Sequence, residues 1–281
     1  MSILSIMKQS EYEKQQYDLI TEWENKEPSV VSKLVSTILS PVSNLISIVV
    51  PEKAIEGAID AANATAQYLT DTADVLRDGK VESIAELRTK DLKLSDQIAD
   101  TVHNWAIGIA VTEGAATGSI GLPGMAVDIP FVITLALRTI HKIGVCYGFN
   151  ADASNAEEEK AFALGVLSAA SASTLTEKTG FILGLKQISL LIQKNAWKKL
   201  AEMSSANLLA KGVINIKQAA KIIGVNLTKR KASQAIPVIG AGVGASMNAS
   251  FINDIAWAAR RSFQRRWLEE NKVIESEASL D

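Results

Sequence analysis

Three charged residues stand in strongly apolar surroundings: Glu113 in AVTEGAATG, Asp128 in GMAVDIPFV and Arg138 in LALRTIH. A charge buried in such company must be paired or change its protonation. Two carboxylates within reach of one ligand or water would form an acid/base or metal pair, suited to a hydrolase acting on a lipid or peptide. The plainer alternative folds two helices back on each other, so that Glu113 or Asp128 meets Arg138 in a structural ion pair. Asp128, close to Pro130, also suits a helix cap. Familiar site chemistry is otherwise missing. His103 and His141 each lack a second ligand at metal spacing, no H-E-x-x-H, G-x-S-x-G or Cys–His motif occurs, and Cys146 reads as an inert core thiol. No catalytic residue is assigned beyond these candidates, no metal or cofactor is expected, and the sequence leans away from an enzyme.

The second chemical feature is basic. Ile252, Ile255, Ala259, Phe263 and Trp267 advance by three or four residues and form one apolar stripe, with Arg260, Arg261, Arg265 and Arg266 beside it. Such a helix either docks in a core with its arginines in water, or lies on an anionic membrane with the arginines at headgroups and Phe263 and Trp267 in the boundary. These six residues are the expected membrane or partner contacts. Nucleic-acid binding is not expected, because no aromatic platform accompanies the basic residues.

Two glycine-punctuated segments must position these groups. The first carries Gly114, Gly118, Gly121 and Gly124, and the second carries Gly240, Gly242 and Gly244. Gly240 and Gly244 share one helix face, so close helix packing through Gly114, Gly118, Gly121, Gly240 and Gly244 is the economical reading. Neither segment matches G-x-G-x-x-G or G-x-x-x-x-G-K-[ST], which argues against a phosphate loop. Residues 232–253 carry no charge and have about the length of a membrane span, but Ala, Gly and Ser dominate them, and a buried helical core is favoured over insertion.

Apolar residues make up 47% of the 281, enough for a sizeable core, while 29 basic against 31 acidic residues give no global pull toward polyanions. Scarce apolar/polar alternation and abundant Ala, Ser and Gly predict an all-α protein: a single large multi-helix domain with small-residue, glycine-rich central helices and a peripheral N-terminal helical layer. The first helix is signalled by capping-box spacing at Ser10 and Glu13, and ends before Pro28. Helical stretches are expected over 30–50, 52–78, 95–116, from 124–128 to Tyr147, from Ser154 through AFALGVLSAASAS, and around 181–203 and 216–223. The polar run near residue 90 divides a layer at 1–90 from a core at 91–272, and 273–281 is a solvated tail. No basic start with a small-residue cleavage site opens the chain, so the cytoplasm is expected, including the inner face of the cell membrane.

With these residues laid out, the chain resembles the EcsC protein family. The resemblance rests on Tyr12-Glu13 with Trp23, Glu113-Gly114, Gly118, Gly121, Asp128-Ile129-Pro130, Arg138, Tyr147-Gly148-Phe149, Pro237 to Gly240, Asn248, Ala259, Phe263 and Arg266. The family is named for a protein encoded beside two components of an ABC transporter, and it brings no catalytic residues to carry over. It implies a noncatalytic membrane- or transporter-associated accessory protein contacting lipid or a membrane partner. The hydrolase at Glu113 and Asp128, and an effector that perturbs membranes through the Pro237 segment, stay as alternatives. Oligomeric state is not legible.

Overall fold

The structure, a computed structural model, describes residues 9–28, 57–62, 71–118, 122–149, 156–193 and 240–275, with the backbone alone at 117–118, 122–129, 156–158 and 240–245. Among these residues every regular element is helical. In chain order they are α1 (Glu11–Asn25), α2 (Ala73–Gly79), a 3₁₀ turn (Ile84–Arg88), α3 (Leu92–Gly118), α4 (Leu122–Cys146), α5 (Ala156–Ser171), α6 (Leu175–Gln193) and α7 (Gly240–Glu270). The expected helices at 30–50 and 216–223 lie outside the described residues.

Local signals explain most helix ends. Ser10 Oγ accepts from the Glu13 amide at 3.2 Å and Glu13 returns a carboxylate to the Ser10 amide at 2.7 Å, so α1 starts on a complete capping box. Asp91 accepts from the Lys93 amide at 2.7 Å and opens α3 three residues earlier than the sequence suggests. Thr174 accepts from the Glu177 amide at 3.2 Å and opens α6 at Leu175, six residues earlier than the sequence suggests. Residues on both sides of position 90 share one core, with Ile59, Val75 and Leu87 before it joining Ile98, Ile140 and Ile255 after it.

The long helix α7 is the axis of the fold, packing on α1, α3, α4, α5 and α6, most extensively on α3. His103 meets Asn253, Asp100 meets Arg260 and Asp96 meets Gln264, so α3 and α7 run antiparallel. Buried Ala99, Ala106, Ala110 and Gly114 recur along α3 and let it approach closely. Continuing that register brings the Gly114 end of α3 to the Gly240–Gly244 end of α7. Phe263 anchors the opposite half, its ring 5.0 Å from Phe162, 5.7 Å from Phe149 and 6.4 Å from Tyr147. A Cβ at Gly144 would sit 2.7 Å from that ring.

α4 stops in a Schellman arrangement, Phe149 N–H donating to Gly144 O at 2.9 Å and Gly148 N–H to Val145 O at 3.0 Å, with Gly148 at φ +86. A Cβ there would lie 2.4 Å from the Arg88 backbone nitrogen. Gly148→Ala is expected to cost more than about 2 kcal/mol, since positive φ and a backbone clash act together. A urea midpoint unchanged from wild type would contradict it.

Candidate functional site

The hairpin of α3 and α4 carries the three charges singled out in the sequence. Arg138 is exposed and its guanidinium lies 5.8 Å from the centre of the Trp105 ring, which fixes the hairpin register. Asp128 and Arg138 lie ten positions apart on α4, about 15 Å along the axis, and the side chain of Asp128 is outside the described residues. Asp128 is the seventh residue of α4, so it does not cap the helix. Glu113 is half-buried on α3. Trp105 is 50% exposed and Val111 42%, two large apolar side chains standing among exposed Asn104, Gly108 and Thr112 on α3.

The basic stripe of α7 is turned inward. Arg260, Arg261, Arg265, Arg266, Phe263 and Trp267 are all buried, so in this arrangement they touch protein and not headgroups, and the arginine face is not in water either. Distant acids explain this. Arg265 is held bidentate by Glu24 of α1 at 2.7 and 3.1 Å, Arg260 by Asp100 at 2.8 Å, and Arg266 by Glu159 at 2.9 and 2.9 Å. Burial acts against charge on Arg266, but Glu159 and Glu270 outweigh it and raise its pKa. Trp267 donates its indole N–H to Leu87 O at 3.0 Å.

A polar core that sequence reasoning missed joins α1, α3, α4 and α7. Buried Asp96 accepts from Tyr12 Oη at 2.6 Å, from Gln264 Nε2 at 2.6 Å and from Tyr147 Oη. Burial, reinforced by Asp96, pushes both tyrosine hydroxyls above their usual pKa, so they remain neutral donors. Gln16 of α1 accepts from Arg261 at 3.0 Å and from Gln264 at 3.2 Å. No local sequence pattern marks Asp96, Gln16 or Gln264, because each is an ordinary polar residue on an amphipathic helix.

The remaining titratable groups are mostly structural. Burial holds His141 down to about 4 and also lowers His103, which pairs with Asn253 at 3.0 Å, so both imidazoles stay neutral. Burial lifts the Cys146 thiol to about 12, in keeping with the inert thiol expected. Glu269 is raised to about 7, burial outweighing Arg265 and Lys186. Among the described residues no cluster of His, Cys, Asp and Glu could hold a metal ion, and no helix is long and apolar enough to cross a membrane.

A cleft of about 340 Å³ opens where α1 meets α5, α6 and α7. Trp23 and Trp257 wall it, and Lys178 and Arg261 reach its interior. Lys178 donates to the Trp23 and Lys26 carbonyls at the end of α1, the second at 2.9 Å, and its ammonium lies 4.5 Å from the Trp23 ring centre. Burial lowers its pKa to about 8.

An α7 axis packed on α3, α4 and α5 with an ion-paired α1 across it defines an all-helical protein of one domain. The sequence pattern of the EcsC protein family matches residues 14–268, and the chain belongs to that family. It is 28% identical over 221 residues to "Uncharacterized protein YdbA" of Bacillus subtilis (strain 168), covering 75% of each chain. No solved structure matches it.

Proposed function

We propose that this protein is a noncatalytic membrane-associated accessory protein that meets the bilayer, or a membrane protein within it, through the α3–α4 hairpin. The observation that carries this reading is the exposure of two large apolar side chains, Trp105 and Val111, on a hairpin whose stretch from 106 to 137 holds two charges, Glu113 and Asp128. Trp105 and Arg138 sit together at its base, the pair of side chains suited to the water–lipid boundary. From Trp105 to Gly118 the helix extends roughly 20 Å, short of a hydrocarbon core of about 30 Å, so the hairpin would enter one leaflet without crossing. Sited at the inner face of the cell membrane, it would adjoin transporter components, the association the family's name suggests.

Vesicle flotation tests this. The full chain is expected to float with vesicles at low and high salt alike, because apolar burial is not screened. Trp105→Ser with Val111→Ser is expected to weaken binding roughly thirtyfold, equivalent to about 2 kcal/mol of lost apolar burial. Both residues are exposed, so the fold should survive. Failure of the wild type to float, or equal flotation of the double variant, would refute the reading.

A further inference from the structure

The cleft under α1 has an uneven distribution of charge. The two cations that reach its interior, Lys178 and Arg261, are buried, whereas Glu22 and Glu27 of its lining are exposed at the rim and Asp254 is half-buried. Exposed rim carboxylates are screened by water and salt, while desolvated cations dominate the interior field. Both cations also keep donors in reserve. Lys178 uses two of its three N–H groups on the Trp23 and Lys26 carbonyls and makes no further hydrogen bond with the described residues. Arg261 hydrogen-bonds only through Nη1, to Gln16 at 3.0 Å and Gln264 at 2.8 Å, while its guanidinium lies 5.0 Å from the centre of the Trp257 ring; its Nε and Nη2 make no hydrogen bond with the described residues. Between the cations the walls are aromatic and small: Trp23, Trp257, Ala169 and Ala170.

We propose that this cleft binds a small anionic amphiphile, its carboxylate or phosphate head on Lys178 and Arg261 and its apolar body between Trp23 and Trp257. The volume of about 340 Å³ stands at the low end of ligand pockets, which suits one short chain and excludes a two-chain lipid. Burial is the main cause of the lowered pKa of Lys178 and outweighs the nearby carboxylates of Glu24 and Asp254, and an anion bound in the cleft would add to their effect. The site is remote in sequence from the hairpin, and either reading can fail without touching the other.

Calorimetric titration of the full chain with monomeric decanoate and decyl phosphate tests it, with decyltrimethylammonium as the control of opposite charge. Saturable one-to-one binding of at least one anion is expected, with the cation bound about tenfold more weakly or worse. Binding of decanoate alone marks a fatty-acid head, and binding of decyl phosphate alone a phosphate ester. Arg261→Gln and Lys178→Met should each weaken the anion about tenfold, the worth of one charge-assisted hydrogen bond. Because both residues also hold α1, Ala170→Phe supplies the second arm: it narrows the half-buried wall without altering charge, and it should abolish binding while the thermal transition stays intact. Silence from both anions, equal affinity for the cation, or undiminished binding by a folded Ala170→Phe protein overturns the proposal.

Discussion

Arg266→Met is expected to destabilise the fold by about 3–5 kcal/mol, the cost of stranding one member of a buried ion pair. Arg266 is 1% exposed and Glu159 4%, and their two parallel bonds at 2.9 Å are joined by a contact to Glu270 at 3.1 Å. The guanidinium also stacks 4.0 Å from the Phe149 ring centre and 5.2 Å from that of Phe162. Without it, Glu159 keeps its charge among apolar neighbours or takes up a proton, and either is unfavourable. Arg266→Met combined with Glu159→Leu should recover most of the loss, since an apolar pair of similar volume carries no desolvation penalty. Urea unfolding of the two single variants and the double one decides the matter. Additive losses in the double variant would show that packing, and not the pair, holds this position.

Asp96→Ala should cost a similar amount, about 3–5 kcal/mol, by a different route. It leaves Tyr12, Tyr147 and Gln264 without their common acceptor and removes negative charge from beside Arg260 and Arg261. Several buried donors losing one partner cost more than any single hydrogen bond contributes. Asp96→Asn retains an acceptor of the same shape and should lose about half as much. The distinguishing readout is hydrogen exchange over Glu11–Asn25, because Tyr12 and Gln16 bind α1 to this network. If exchange there stays as slow in Asp96→Ala as in wild type, the network does not hold α1.

How far the sequence revealed this molecule depended on the range of each interaction. The Ser10–Glu13 box and the Gly148 stop are local patterns, and both stand in the structure where the residues placed them. The apolar stripe Ile252, Ile255, Ala259, Phe263 and Trp267 was equally legible, and it is core. The arginines beside it were misread as facing water or lipid because their partners lie 160 residues away in Asp100 and 241 in Glu24, which periodicity cannot register. The Thr174–Glu177 spacing was a local signal that a run of small residues concealed. Of the residues lining the candidate cleft, Trp23, Pro28 and Arg261 are legible in the sequence, each for a reason other than the cleft. Lys178 carries no local signal, because its partners are the carbonyls of Trp23 and Lys26 some 155 and 152 positions earlier.

The contacts of α1 set an order of events. Gln16 bonds to Gln264, 248 positions further on, and to Arg261, 245 further on. At cellular synthesis rates the N-terminal helix would wait roughly 10–50 s for its partner to emerge. During that interval α3 to α6 can begin to pair and can offer Asp96 to Tyr12 and Lys178 to Trp23, but Gln16 has neither Arg261 nor Gln264 to meet. The last helix made is the one on which the earlier helices close, so a chain halted before α7 would carry an unfinished core into the cell.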